Sequence, residues 1–139
     1  MHDMDGMDGA GTSLTGVRVL LVDDDADVRF LMAAVLESAG ATVTESTSAR
    51  DAYAVLQLER PDVLVTDLTM PGEDGFWLIA ATRALSAAHG GGTPAAALTG
   101  HVTPEDRASV LRAGFQFHVA KPVDRDHLVG IVAILAQKP

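Results

Sequence analysis

Apolar positions along the chain follow two alternating patterns. Short runs that are almost wholly apolar, such as 17–22 and 62–66, are typical of strands buried on both faces of a parallel sheet. Between such runs, apolar residues recur every three or four positions, as at Val28, Leu31 and Val35, which predicts amphipathic helices. Residue types that cap helix N-termini precede three of these stretches: Asp25, Ser48 and Thr103.

The order of these patterns predicts one doubly wound α/β domain. Strands alternate with helices throughout, which implies a five-stranded parallel sheet covered on both faces, a (βα)5 arrangement. Residues 1–15 carry aspartates and glycines but no lysine or arginine, so they are predicted to be a flexible tail or linker before a folded domain at 16–138. The predicted strands are 17–22, 41–45, 62–66, 95–98 and 115–120, and the third helix is predicted at 76–87.

Composition narrows the classes of function. The chain has 10 basic and 19 acidic residues, a formal charge of −9, which argues against a broad basic surface for nucleic acid. The absence of cysteine excludes disulfides and thiol chemistry. The longest apolar run, 128–136, is far shorter than the ~20 residues that span a bilayer. With no leader-like pattern at its start, the chain is predicted to be cytoplasmic and not membrane-inserted.

Polar residues follow four of the five predicted strands. Asp23 and Asp24 come after the first strand, Asp67 after the third, Thr99 after the fourth and Lys121 after the fifth. Ligands of open parallel sheets bind outside the carboxyl ends of the strands, so these side chains are expected to lie close together. Crowded carboxylates suit Mg²⁺, and an ammonium and a hydroxyl suit phosphoryl oxygens. The sequence therefore predicts a site for a metal ion and a phosphoryl group, with an aspartate as nucleophile.

Four segments carry a family resemblance. Taken in order along the chain, they resemble the motifs of the receiver domain of two-component response regulators. The resemblance is to receivers of the chemotaxis-regulator type, and the chain is also similar to receivers fused to hybrid histidine kinases. The resemblance extends from about Val17 to Ala136 and implies a flavodoxin-like sheet of strand order 2-1-3-4-5. The segments are Leu21–Asp25, Val65–Gly75, Leu98–Gly100 and Val119–Pro122.

The resemblance also implies a magnesium site. Asp67 would be the phosphoacceptor and would bind Mg²⁺ directly together with Asp24. The backbone carbonyl of Thr69 would be a further ligand, and Asp23 would act through a metal-bound water.

Two further residues would contact the phosphoryl group by the same resemblance. Thr99 would donate a hydrogen bond to one phosphoryl oxygen, and Lys121 would form an ion pair with another. The peptide bond between Lys121 and Pro122 is expected to be cis.

The sequence departs from the family pattern in two places, at His118 and at the Gly100–His101 pair. His118 stands where the family usually has a tyrosine or phenylalanine that rotates inward on activation, and it adds a titratable group to that role. A structural histidine is an equally good interpretation of this residue. Gly100 leaves the approach to the phosphoryl group unshielded, whereas His101 is placed to lie over it.

The implied function is that of a phosphorylatable signalling module and not of an enzyme beyond its own phosphorylation and dephosphorylation. Its partner would be a histidine kinase or a histidine phosphotransfer protein, and it would be a monomer or weak dimer. A phosphorylation-independent binding module is one alternative. An aspartate-nucleophile phosphatase of the haloacid dehalogenase type is another, but such an enzyme needs an acid two residues after the nucleophile, where this chain has Thr69. No DNA-binding domain is expected, because the sequence ends at Pro139, directly after the last predicted helix.

Overall fold

The computed structural model describes residues 11–100 and 103–137. Within those two ranges, no helix has the length and apolar character needed to cross a membrane. The alternation of strands and helices is as predicted. The strands are Arg18–Val22 (β1), Thr42–Ser46 (β2), Val63–Asp67 (β3), Ala95–Thr99 (β4) and Phe117–Ala120 (β5). The helices are Ala26–Ser38 (α1), Ala49–Glu59 (α2), Gly75–Arg83 (α3), Pro104–Ala113 (α4) and Arg125–Ala136 (α5).

The sheet is parallel throughout, with the order β2-β1-β3-β4-β5. This confirms the 2-1-3-4-5 order of the doubly wound, flavodoxin-like fold. The chain winds in opposite directions from β1 and from β3, which are neighbours, and Val22 of β1 lies opposite Thr66 of β3. The residues that follow these two strands therefore emerge side by side at the point where the strand order reverses, where ligands bind in folds of this class.

Side chains that alternate along the strands feed two separate hydrophobic cores. Val19 and Leu21 of β1 pack under α1 and α5, whereas Leu20 and Val22 pack under α2, α3 and α4. All four are at most 1% exposed. Burial on both faces explains why β1, β3 and β4 are nearly continuous apolar runs.

Side-chain caps fix where the helices begin. Asp25, Ser48 and Thr103 each accept hydrogen bonds from backbone amides of the first helical turn, as predicted. Asp74 and Asp124 do the same for α3 and α5. Each of the five described α-helices therefore begins directly after a residue whose side-chain oxygen caps it.

Two predicted element bounds differ from the structure by two residues or more. The third helix ends at Arg83 and not at residue 87, because Ser86 has extended backbone angles and a separate 3-10 helix follows at Ala87–His89. The last strand begins at Phe117 and not at residue 115. The side-chain oxygen of Gln116 accepts the amide of Ala95 at 2.7 Å, so a side chain replaces the ladder hydrogen bond at that point.

The packed domain reaches back at least to Leu14. Residue 14 falls in the predicted tail, but its side chain is fully buried in the core formed with α1 and α5. Its amide donates to the carbonyl of Ala39 at 2.7 Å, and its carbonyl accepts from Val17 at 2.9 Å. The boundary predicted at residue 16 therefore lies too far along the chain, while residues 1–10 of the predicted tail lie outside the described residues.

Candidate functional site

Three aspartates meet at the carboxyl ends of β1 and β3. Asp67 is the last residue of β3, and Asp23 and Asp24 directly follow β1. One carboxylate oxygen from each lies within 4.8 Å of the other two. Asp23 is fully buried and Asp67 is 7% exposed, whereas Asp24 is exposed. The structure thus brings together the three predicted metal-binding carboxylates and leaves them accessible from the side of Asp24.

Lys121 supplies a cation to this cluster. Its Nζ lies 3.2 Å from Oδ2 of Asp23 and 3.3 Å from Oδ2 of Asp67. Its backbone amide donates to the carbonyl of Thr99 at 2.9 Å, which fixes the start of this side chain beside β4. Burial by itself lowers the pKa of Lys121, but the Asp67 and Asp23 carboxylates outweigh burial and hold that pKa above its ordinary value. The ammonium therefore stays charged at neutral pH.

The carboxyl group of Asp67 is held in an unfavourable place for a negative charge. Burial raises its pKa above the ordinary value, and the neighbouring Asp23 raises it further. The amide of Thr69, which donates to Oδ1 of Asp67 at 3.3 Å, and the ammonium of Lys121 lower the pKa but do not cancel the effect of burial.

The donor set fits a magnesium ion. Three carboxylates around one ammonium leave an excess of negative charge, and carboxylate oxygens are the ligands that Mg²⁺ prefers. An added cation at this edge would also offset the burial that raises the pKa of Asp67. Asp23, Asp24 and Asp67 are therefore the residues able to hold such an ion.

The loop after Asp67 is fixed by a close approach of two backbones. A Cβ at residue 75 would lie 2.4 Å from the carbonyl oxygen of Asp67, so only glycine fits there. The amide of Gly75 donates to the carbonyl of Leu68 at 3.2 Å, and Asp74 caps the helix that follows. The Asp74–Gly75 pair thus holds the start of α3 against the end of β3, with Thr69 exposed between them.

Arg29 is a positioning residue that sequence reasoning missed. Its Nη1 donates to the backbone carbonyl of Asp23 at 2.8 Å, and its Nε pairs with Glu45 at 3.0 Å. It therefore ties α1 and β2 to the loop that carries the acidic cluster. In the sequence Arg29 is one of several polar residues of a helix. Its partner is a main-chain oxygen, which every residue has, so no sequence motif indicates this contact.

Thr99 lies at the end of β4, 7% exposed, beside a small cavity of about 130 Å³. This cavity lies between the loop after β3 and the first turns of α4, and Thr69 and Phe76 also line it. Gly100 follows at the exposed rim, where an added Cβ would meet no atom within 4 Å. His101 lies outside the described residues.

His118 is not part of the acidic cluster. It lies on β5 opposite Ala97, is partly buried, and has Arg107 of α4 and His127 of α5 as its electrostatic neighbours. Burial lowers its pKa below the ordinary value, and these two residues lower it further. Pro122 is exposed, and the Lys121–Pro122 bond is cis, as expected.

The family model for the response regulator receiver domain matches residues 19–133. The chain therefore belongs to the family of response regulator receiver domains, the signalling modules of two-component systems. Receiver domains bind Mg²⁺ at an acidic pocket, interact with histidine kinases or phosphotransfer proteins, and are not classical enzymes.

Known relatives differ greatly in length. An uncharacterised 14.6 kDa protein from Leptolyngbya boryana is 42% identical over 120 residues, which is 86% of this chain and 90% of that protein. Hybrid signal transduction histidine kinase D of Dictyostelium discoideum is 34% identical over 131 residues, which is 90% of this chain but 8% of the kinase. The same unit therefore occurs almost alone and inside a much longer protein.

A solved structure with the same fold holds a metal. It is the receiver domain of the sensor histidine kinase PA1611 from Pseudomonas aeruginosa, with a magnesium ion coordinated in its active-site cleft. It superposes with a TM-score of 0.79 at 30% identity, covering 88% of this chain and 98% of that one.

Proposed function

We propose that Asp67 accepts a phosphoryl group from a phosphohistidine of a kinase or a phosphotransfer protein, in a Mg²⁺-dependent reaction in the cytoplasm. The domain then changes its surface to bind a partner. One observation carries this proposal: Asp67 is buried at the carboxyl edge of the sheet, with Lys121 at 3.3 Å and two further carboxylates within 4.8 Å.

The transfer step needs little covalent chemistry from the protein. A carboxylate oxygen of Asp67 attacks the phosphorus atom, and the bond between phosphorus and the imidazole nitrogen breaks. The electron pair of that bond returns to the imidazole, and Asp67 becomes an acyl phosphate. Lys121 lies close enough to Asp67 to exchange its carboxylate contact for a phosphoryl oxygen, and Thr99 would donate its hydroxyl to another.

The metal would be held by Asp23, Asp24 and Asp67, with the backbone carbonyl of Thr69 as a further ligand. Bound there, Mg²⁺ supplies positive charge for the carboxylate and the phosphoryl oxygens. The magnesium ion in the Pseudomonas receiver domain supports this assignment.

The surface change would begin at Thr99. If the Thr99 hydroxyl is drawn toward the phosphoryl group, it moves away from the small cavity beside α4. His118, on the neighbouring strand, would then turn inward in response. The faces of α4 and α5 around His118 would then present a different surface to a partner.

Labelling with a small phosphodonor tests the proposal without any partner protein. Incubation of the chain with acetyl phosphate and Mg²⁺ should place one acid-stable, base-labile phosphoryl group on Asp67, detectable as a mass increase. Asp67→Asn should remove the label completely. Asp62 directly precedes β3, at the end opposite Asp67, so Asp62→Asn is the matched control and should keep the label.

A label that persists in Asp67→Asn would contradict the proposal, because another residue would then be the acceptor. Failure to label the unmodified chain would instead favour the phosphorylation-independent binding module.

A further inference from the structure

Residues 68–74, between Asp67 and α3, form a loop whose two ends meet. The amide of Gly75 donates to the carbonyl of Leu68 at 3.2 Å, which closes the loop at its base. Within the loop, the amide of Thr69 donates to Oδ1 of Asp67 at 3.3 Å. We call residues 68–74 the acceptor loop. Its conformation acts directly on the carboxyl group of Asp67 through this hydrogen bond.

Met70 and Glu73 attach the middle of the acceptor loop to the rest of the domain. Met70 is 7% exposed and packs in the core under α2 and α3. Pro71 and Gly72 are exposed, and a Cβ added to Gly72 would meet no atom within 4 Å. Glu73 reaches across to α2, where Nε of Arg50 lies 3.2 Å from its Oε1. Arg50 therefore holds the loop on the side where its backbone is exposed.

The guanidinium of Arg50 makes a second contact, with α3. Its Cζ lies 5.3 Å from the centroid of the Trp77 ring, within the range of cation–π attraction. Tyr53, in the next turn of α2, meets the same ring nearly edge-on, with the centroids 5.7 Å apart. A guanidinium that stacks on a packed ring has less freedom to lose when it pairs with Glu73. This ion pair is therefore better defined than an isolated pair on a protein surface.

The position of Arg50 in its own helix is unfavourable. It is the second residue of α2, which Ser48 caps, and the amide dipoles of a helix N-terminus disfavour a cation there. The next residue, Asp51, has the charge that this position favours. A residue that breaks a local preference is expected to be compensated by contacts elsewhere. Glu73 and Trp77 supply that compensation.

We propose that Arg50 is a positioning residue for the acceptor loop. It holds the loop in the conformation that brings the amide of Thr69 to Asp67 and leaves the Thr69 carbonyl available to a metal ion. The second part rests on the function proposed above. Loss of Arg50 should leave the fold intact, because its side chain is 69% exposed. It should weaken the binding of Mg²⁺ and slow labelling by acetyl phosphate.

The effect of charge alone has the opposite sign. Removal of a positive charge from this edge of the sheet makes the surroundings of the acidic cluster more negative, which strengthens the binding of a cation. Loss of a positioning contact weakens binding, because the loop must then be ordered when the ion binds. The direction in which Arg50→Gln changes the Kd for Mg²⁺ therefore separates the two effects.

Titration of the full chain with Mg²⁺, followed by amide chemical shifts, measures this Kd. Arg50→Gln should raise it roughly two- to fivefold, the range expected for a surface ion pair with a stacked guanidinium. Arg125→Gln is the matched control, because Arg125 is also an exposed arginine in the first turn of a helix and contacts a carboxylate, that of Asp126. This control should leave the Kd unchanged or lower it. When Glu73 is already replaced by glutamine, Arg50→Gln should raise the Kd much less.

A second measurement needs no metal ion. In the metal-free protein, Arg50→Gln should accelerate hydrogen exchange at the amide of Thr69, because the loop that carries it is less restrained. Arg125→Gln should not change that rate. Urea unfolding of each variant shows whether a change in exchange is local to the acceptor loop or follows from lower global stability.

Three results would overturn the proposal. In the first, Arg50→Gln binds Mg²⁺ as tightly as the unmodified chain or more tightly. In the second, it raises the Kd by the same factor whether residue 73 is glutamate or glutamine. In the third, it leaves the exchange of the Thr69 amide unchanged. If the unmodified chain bound no Mg²⁺, the function proposed above would fail instead, and the exchange measurement would still decide the role of Arg50.

Discussion

The two edges of the β-sheet use polar side chains in opposite ways. At the edge where the strands begin, polar groups bond to the backbone: Arg18 donates to the carbonyls of Glu59 and Arg60, and Asp62 accepts the amide of Arg18 at 2.9 Å. At the edge where the strands end, charged side chains face one another, as Lys121 faces Asp23 and Asp67.

This difference separates stability from function. Bonds between side chains and backbone at the first edge satisfy groups that folding would otherwise leave unpaired. The second edge gathers three carboxylates around one ammonium, an imbalance that the protein alone does not remove and that a cation does. Burial raises the pKa of Asp67, with a smaller contribution from Asp23, so this edge is expected to respond to a cation.

The largest expected contrast between the edges is their response to Mg²⁺. At a concentration of about 100 times its Kd, an ion that binds only the folded state adds about 2.7 kcal/mol to the free energy of unfolding. Asp24→Asn should remove most of this gain, whereas Asp62→Asn should keep it. The measurement is urea unfolding with and without Mg²⁺, and equal gains in all three proteins would mean that the carboxyl edge is not the site.

A change at the edge where the strands begin should lower stability without affecting Mg²⁺ binding or phosphorylation. Asp62→Ala leaves the amide of Arg18 without its side-chain acceptor, which should cost about 1 kcal/mol of unfolding free energy in the presence or absence of Mg²⁺. Labelling by acetyl phosphate should proceed at the rate of the unmodified chain. Slower labelling by a well-folded Asp62→Ala protein would show that the two edges are coupled, and the comparison would fail.

A smaller effect follows from the raised pKa of Asp67. The folded, metal-free protein binds this proton more tightly than the unfolded chain does. The contribution to stability is therefore present below the ordinary carboxyl pKa and is lost as the pH rises through the raised value. At pH 7 in a chelator, Asp67→Asn should be more stable than the unmodified chain, because Lys121 keeps Asp23 as a partner at 3.2 Å.

The difference in stability between Asp67→Asn and the unmodified chain should shrink as the pH is lowered toward ~4. Thermal unfolding at both pH values measures it, and Asp62→Asn is again the matched control. A variant less stable than the unmodified chain at pH 7 would show that the Lys121 ion pair outweighs the burial of Asp67.

The sequence was sufficient to predict the carboxyl edge, because each of its groups directly follows a strand with a strong apolar pattern. The positions of Asp23, Asp67, Thr99 and Lys121 in the fold therefore follow from strand order. The positioning role of Arg29 was not predictable, since it acts on a main-chain oxygen.

Packing decided the bounds that sequence reasoning missed. A single leucine at position 14, surrounded by polar residues, gives no periodic signal, yet it fills the core beside α1. The end of α3 depends on the extended backbone at Ser86, and no neighbouring glycine or proline indicates this in the sequence. Such features depend on contacts between distant parts of the chain, which local patterns do not record.

The smallest effect concerns His118, which lies beside the carboxyl edge but outside its acidic cluster. Burial lowers its pKa, with smaller contributions from Arg107 and His127, so its ring is neutral at pH 7. Charging the ring inside the cavity beside Thr99 would cost desolvation. We therefore expect the inward form to be neutral, so the surface change of the phosphorylated protein should weaken as the pH falls below ~6.5.

His118→Phe should keep the surface change and lose its pH dependence, because phenylalanine fills a similar volume and does not titrate. Thr99→Ala should show no surface change at any pH, and His127→Phe should keep the pH dependence of the unmodified chain. Amide chemical shifts of α4 and α5 between about pH 5.5 and 8 measure the change, with the phosphorylated fraction determined separately by mass. If the pH profiles of His118→Phe and the unmodified chain coincide, then His118 is only a packed residue of β5, and the response of the carboxyl edge to phosphate does not pass through it.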